Sequence, residues 1–192
     1  MARPSQKDAI LDAALACFAE VGFAGTKIRS IAERAGVSQG ALYRHFASKE
    51  ELARALYADG MGWIAEALAH VVDGGGTATE RLRAATVGAF GLYREHPSSF
   101  RFVLTWAPDF CSPGDVEPPL AILVRLVSDG QTRGEFVEGD ATMLACLVMG
   151  CIVEPIVLAT NAPGLVPDVL SDDSHDSAIA DFVVAALARH GR

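Results

Sequence analysis

Apolar residues recur along this chain every three or four positions, the spacing of one face of an α-helix, and they show no long strand-like alternation. A first helix is predicted from about Ser5 to Val21. It would bury Ile10, Ala14, Cys17, Phe18 and Val21, with Ser5 and Asp8 forming a capping box and Gly22 giving a left-handed stop. A second follows Thr26 as its cap, buries Ile28, Ile31, Ala32 and Ala35, and ends at Gly36. A third is capped by Ser38 and buries Leu42 and Phe46. A fourth opens at Ser48 with Glu51 completing a capping box, and runs through Leu52, Leu56, Trp63 and Leu68 to the break at 73–76. Five more fit Ala78 to Glu95, Ser98 to about Trp106, Leu120 to about Thr132, Asp140 as cap to about Ala162, and His175 to Arg189. A bend is expected at Pro155. Segments 109–119, 133–136 and 162–174 read as loops. The prediction is an all-α chain without internal repeats.

Composition narrows the class. At 192 residues the chain is one domain, or a small module joined to a second. With 51% apolar residues it is not disordered, and four cysteines without a C-x-x-C pair make neither a disulfide scaffold nor a zinc site. Lys7, Asp8 and Asp12 interrupt the apolar run that a signal peptide needs. The longest greasy run, Met143 to Val153, has eleven residues and ends at Glu154-Pro155, short of the about 20 of a membrane span. It reads as a buried core helix, with no membrane partner, in a cytoplasmic protein with reduced thiols. No G-x-S-x-G, P-loop or metal-ligand spacing is present, so no enzyme, cofactor or metal is expected.

The net charge of −8 argues against a non-specific nucleic-acid binder, but it is unevenly spread. Residues 1–49 carry seven Lys/Arg against four acids, a local balance of +3 that leaves −11 for the rest. The basic end also holds two short helices joined by Gly36-Val37. Small Ala32 lets the helices cross closely, Gly36 takes a positive φ, and Leu42 anchors the second helix on the first. This is helix-turn-helix spacing, over about residues 27–46. With Leu42 and Phe46 inward, Ser38, Gln39, Gly40, Tyr43, Arg44 and His45 are left outward, and no acid occupies the first turn. Gln39 suits adenine, Arg44 guanine and the Tyr43 hydroxyl a phosphate, while Gly40 lets the backbone approach the duplex.

These residues, within Ala9-Ile10-Leu11-Asp12-Ala13-Ala14, Phe18-Ala19-Glu20-Val21-Gly22-Phe23, Gly25-Thr26 and Ile31 through Leu52, strongly resemble the DNA-binding domain of the tetracycline-repressor (TetR) family over about residues 5–57. The resemblance implies an N-terminal three-helix domain at 1–49. It implies a larger helical effector-binding and dimerisation domain at 50–192, joined through the fourth helix. It also implies a ligand-responsive regulator, most often a repressor, on palindromic double-stranded operator DNA. Position by position it carries DNA contact to Thr26, Lys27, Arg29, Ser38, Gln39, Gly40, Tyr43, Arg44, His45 and Lys49, with Arg3 and Lys7 as an arm. Ala41 stands where many relatives have Thr or Ser, so one polar contact is missing. Dimerisation would use the eighth and ninth helices, whose small residues Ala145, Gly150, Ala178, Ala185, Ala186 and Ala188 permit close approach.

Beyond residue 57 the sequence is less specific. A small, largely apolar effector is expected, with Phe90, Tyr93, Phe102, Trp106, Phe110, Met143, Leu147, Cys151 and Glu154 as candidate pocket residues. Glu154 within an apolar helix must be paired, exposed or functional. Gly60 and Gly62, each costing about 1 kcal/mol inside a helix, mark either a hinge or a close packing contact. Two other readings remain. One is a thiol-responsive regulator, through Cys111 near Asp109. The other is a ligand-binding protein with a vestigial head, against which the intact Lys27, Arg29, Tyr43, Arg44 and Lys49 speak.

Overall fold

The computed structural model describes residues 5–110, 117–161, 170 and 172–189. Among them are nine helices: α1 (Gln6–Gly25), α2 (Ile28–Ala35), α3 (Gln39–His45), α4 (Lys49–Val72), α5 (Ala78–Glu95), α6 (Pro97–Phe110), α7 (Pro119–Thr132), α8 (Ala141–Asn161) and α9 (Asp176–Leu187). No strand occurs among the described residues, only an isolated antiparallel bridge between Phe136 and Ala188. The all-α expectation holds. Packing divides the chain into two units, Met1–Gly60 with Ser98–Gly114 and Met61–Pro97 with Asp115–Arg192. Helix α4 thus contributes to both, and α6 belongs to the first from Ser98 onward.

In the first unit, Ile10, Ala14, Cys17 and Phe18 of α1, Ile31 and Ala32 of α2, Leu42 and Phe46 of the α3 segment and Leu52 and Leu56 of α4 form one buried cluster. Phe102 of α6 completes it, stacking on Phe18 with ring centroids 5.6 Å apart. Gly60 permits this docking of α6, since a Cβ there would lie 2.9 Å from Val103 Cγ2. That gives this glycine a packing reason. Val21, expected inside, is exposed, because the helical path breaks immediately after it at Gly22, with φ 73° and ψ 168°. The break frees carbonyls, and Thr26 satisfies them: its buried hydroxyl is shared between the carbonyls of Cys17 (3.1 Å) and Gly22 (2.7 Å). Thr26 therefore closes α1, and the N-cap of α2 is Lys27, without a side-chain cap, rather than Thr26 as expected.

The other caps match their signals. Ser5 and Asp8 form a reciprocal box, Ser38 accepts from Ala41 N at 3.1 Å, and Asp140 accepts from Met143 N at 2.9 Å. Ser48 accepts from Glu51 N, while the Glu51 carboxylate reaches Ala47 N. Pro108 proves a weaker stop than expected, since α6 runs past it to Phe110, while α8 carries Pro155 inside it, as the helix expected to about Ala162 requires. A proline removes one amide bond and crowds one carbonyl, and flanking turns can tolerate that loss.

In the second unit, Leu82 and Phe90 of α5, Ile122, Leu123 and Leu126 of α7, and Ala180 and Val183 of α9 are buried. Ion pairs join the same helices. Arg81 is buried, bonds the carbonyl of Val72 at 2.8 Å and pairs with Asp129. Arg94 forks onto buried Asp176 at 3.0 and 2.5 Å. Glu135 accepts from the amides of Ala78 and Thr79 at the start of α5. Burial opposes its charge, but those amides and the Thr79 hydroxyl outweigh burial and hold the carboxyl below its ordinary pKa. No buried side-chain polar atom lacks a partner among the described residues.

Candidate nucleic-acid interface

The head's outer face is built on α2 and α3. Gly36, with φ 68° and ψ 29°, ends α2 in the left-handed conformation, and its amide bonds Glu33 O while Val37 N reaches Ala32 O. The chain turns sharply there, and Ser38 starts α3 with its hydroxyl capping the first turn. Ala41, Leu42 and Phe46 point inward, leaving Gln39, Gly40, Tyr43, Arg44 and His45 exposed on a seven-residue helix, with Tyr43 at 50%. A Cβ on Gly40 would find nothing nearer than Ser38 Oγ at 3.9 Å, so that surface is open to another molecule.

The ten predicted DNA-contact residues fall into two groups. Lys27, Ser38, Gln39, Gly40, Tyr43, Arg44 and His45 share the exposed surface of the α2–α3 segment, and Lys27 and Arg44 have no ion pair among the described residues. The other three have internal work. Thr26 is buried and offers no hydroxyl. Arg29 is exposed but paired with Glu33 at 2.7 Å. Lys49 is half-buried, donates to the carbonyls of Phe23 (2.8 Å) and Thr26 (3.1 Å), and sits 4.3 Å from the Phe23 ring centroid. An ammonium has three donors, so one remains for a phosphate.

Besides those of Lys49, sequence reasoning missed two further contacts here between positions far apart in the chain. Gln6 Oε1 lies 3.1 Å from His45 Nε2, and Arg34 forks onto Glu20 at 2.8 and 2.6 Å. Arg3 and Cys111 lie outside the described residues.

The candidate effector residues with described side chains differ in burial. Phe90 is fully buried in the second unit and Tyr93 half-buried on the same helix, whereas Phe102 belongs to the head's core. The side chains of Trp106 and Phe110 lie outside the described residues. Met143 and Leu147 face solvent at 62% each, so α8 is not the buried core helix expected. Over Ala141–Ala159 it is strongly apolar yet mostly not buried. It is long and apolar enough to cross a membrane by length and composition, because apolar residues resume after Glu154-Pro155. Cys151 and exposed Glu154 line an apolar groove of about 470 Å³ with Pro155, Leu158, His175, Ala178, Ile179 and Phe182. Gly150, Ala178, Ala185 and Ala186 are exposed, but Ala145 is buried within its own unit.

Comparison with known proteins agrees with this geometry. Residues 10–56 match the model of the bacterial regulatory proteins of the tetR family. The transcriptional repressor KstR2 of Mycobacterium tuberculosis is 36% identical over 92 residues, 48% of this chain and 46% of that protein. The chain thus aligns with about half the length of the curated relatives it matches. Over nearly its whole length it has the fold of two solved structures. The ketosteroid transcriptional regulator KstR2 of M. tuberculosis has TM-score 0.74, 22% identity and 98% of each chain covered. The regulator FadR of Bacillus subtilis, in complex with stearoyl-CoA, has TM-score 0.74, 21% identity, and 93% of this chain and 98% of that one covered. Residues 10–56 are thus similar to the bacterial regulatory proteins of the tetR family, and the chain along nearly its whole length has the fold of these solved structures.

Proposed function

We propose that this protein is a ligand-responsive transcriptional repressor. Residues 1–49 read operator DNA, and residues 50–192 bind the effector and dimerise. The observation that carries the reading is the outward set Gln39, Gly40, Tyr43 and Arg44 on a capped helix whose inner face is locked by Leu42 and Phe46. A rigid helix with polar and cationic tips fits the major groove, Lys27 supplies charge for the backbone, and reading takes place in the cytoplasm, where a bacterial chromosome lies.

A second copy of the chain covers the outer faces of α8 and α9. Met143 and Leu147 of α8 and Phe182 of α9, the last 65% exposed, are large apolar side chains left in solvent, with Gly150 and Ala178 exposed on the same helices, and this supports a symmetric dimer rather than a membrane helix. Two heads then meet two half-sites of a palindrome. The effector is a largely apolar molecule. The stearoyl-CoA bound to one structural neighbour and the ketosteroid in the name of another support an acyl-chain or steroid class. Its binding favours a conformer whose heads no longer fit the operator.

Selection of bound duplexes from a random DNA pool tests this reading. A palindrome with half-sites about one helical turn apart is expected. Recovery of no sequence preference, with and without a long-chain acyl-CoA, would overturn it.

A further inference from the structure

Helix α3 is held from beneath by Ala41, Leu42 and Phe46, and one outer side chain also ties it to another helix. That side chain is His45, whose Nε2 lies 3.1 Å from Oε1 of Gln6, the first residue of α1. An amide oxygen only accepts, so Nε2 carries the proton. In the neutral ring Nδ1 is then a bare lone pair, and in the imidazolium it is a donor.

We propose that Gln6 is a positioning residue of the DNA-reading surface, holding His45 in the tautomer whose free nitrogen meets a phosphate only when the ring is protonated. The inference rests on the DNA-reading function proposed above. A bare Nδ1 opposes a phosphate oxygen lone pair to lone pair, whereas a protonated one makes a charge-assisted hydrogen bond. Proton binding and DNA binding then favour each other.

The charged groups on the adjoining segments are Lys7 and Asp8 of α1, Arg44 of α3, and Lys49, Glu50 and Glu51 of α4. Asp8 is held by Ser5, Glu51 by the amide of Ala47, and Lys49 by the carbonyls of Phe23 and Thr26. The ring's own hydrogen bond is to uncharged Gln6.

The test is operator affinity by fluorescence anisotropy between about pH 5.5 and 8.5, across the imidazole range, at fixed ionic strength. The full-length protein, His45→Gln, Gln6→Ala and Gln6→Glu are compared on the selected duplex. Wild-type affinity falls about tenfold from about pH 6 to 8, and its salt slope shrinks by about 0.9. His45→Gln gives a flat profile. Gln6→Ala weakens binding at low pH and also flattens the profile, because a released ring can present N–H from either nitrogen. Gln6→Glu keeps the profile and moves its midpoint to higher pH, which a merely structural role would not do. Binding that is independent of pH in the wild type, or a Gln6→Ala profile identical to it, overturns the inference alone. Failure to bind DNA at every pH overturns the reading function as well.

Discussion

Helices α3 and α8 each turn a face to solvent, and the two faces differ in kind. That of α3 is short and polar: Gln39, Tyr43, Arg44 and His45 stand over a core that is already closed beneath them. That of α8 is long and apolar: Met143, Cys146, Leu147 and Gly150 are exposed on a helix whose other face packs Ala145, Val148, Ile152 and Ile156 inward. Hydration satisfies the first, so it can wait alone for a polyanion. The second leaves apolar area in water, and burial against another apolar face stabilises it by roughly 25 cal/mol per Å². Polar tips on a finished scaffold suit a reversible reading surface, while greasy residues on a finished scaffold suit a permanent partner.

Substitutions can separate the two faces. Leu42→Ala should have the largest effect, about 2–5 kcal/mol of head stability. Thermal melts followed by circular dichroism should show it, with operator binding lost while sedimentation still reports association through the second unit. If association were lost too, the two faces would not be independent. Leu147→Glu places a charge where a partner must pack. The dimer should weaken by at least about 2 kcal/mol, roughly 30-fold, with helicity unchanged. A mass by light scattering equal to the wild type at low micromolar concentration would reject α8 as the interface. Tyr43→Ala should lower operator affinity about tenfold by removing one phosphate contact, leaving melting temperature and mass unaltered. Lys27→Ala should act most mildly. Affinity should drop alike for operator and random duplex, with the salt slope reduced by about 0.9. A selective loss on operator alone would make Lys27 a base reader.

Much of the fold was legible because its signals are local. Ser5 with Asp8, Ser38, Gly36 and Asp140 act within four residues of themselves, and the structure shows each cap or turn where the pattern puts it. Thr26 misled for the same reason. Its type suits a helix start, but the Gly22 break supplied carbonyls nine and four positions back that claimed its hydroxyl. In the candidate site, the inward Leu42 and outward Tyr43 follow from helical spacing. The Glu33 partner of Arg29 lies one turn away on the same helix, whereas the partners of Lys49 and His45 required knowing what the fold brings alongside.

The sequence by itself determined the helices, their caps apart from that of α2, the helix-turn-helix and its outward polar set, because periodicity and capping are short-range and each residue's neighbours are known. Only the tertiary structure decided that Phe102 and Val103 of α6 serve the head's core, that Glu154 faces an exposed groove, that α8 keeps an apolar face uncovered, and that Gln6 meets His45. Those contacts join positions up to 84 apart, as between Phe18 and Phe102, and nothing in local spacing specifies which distant surface an apolar or polar side chain will meet.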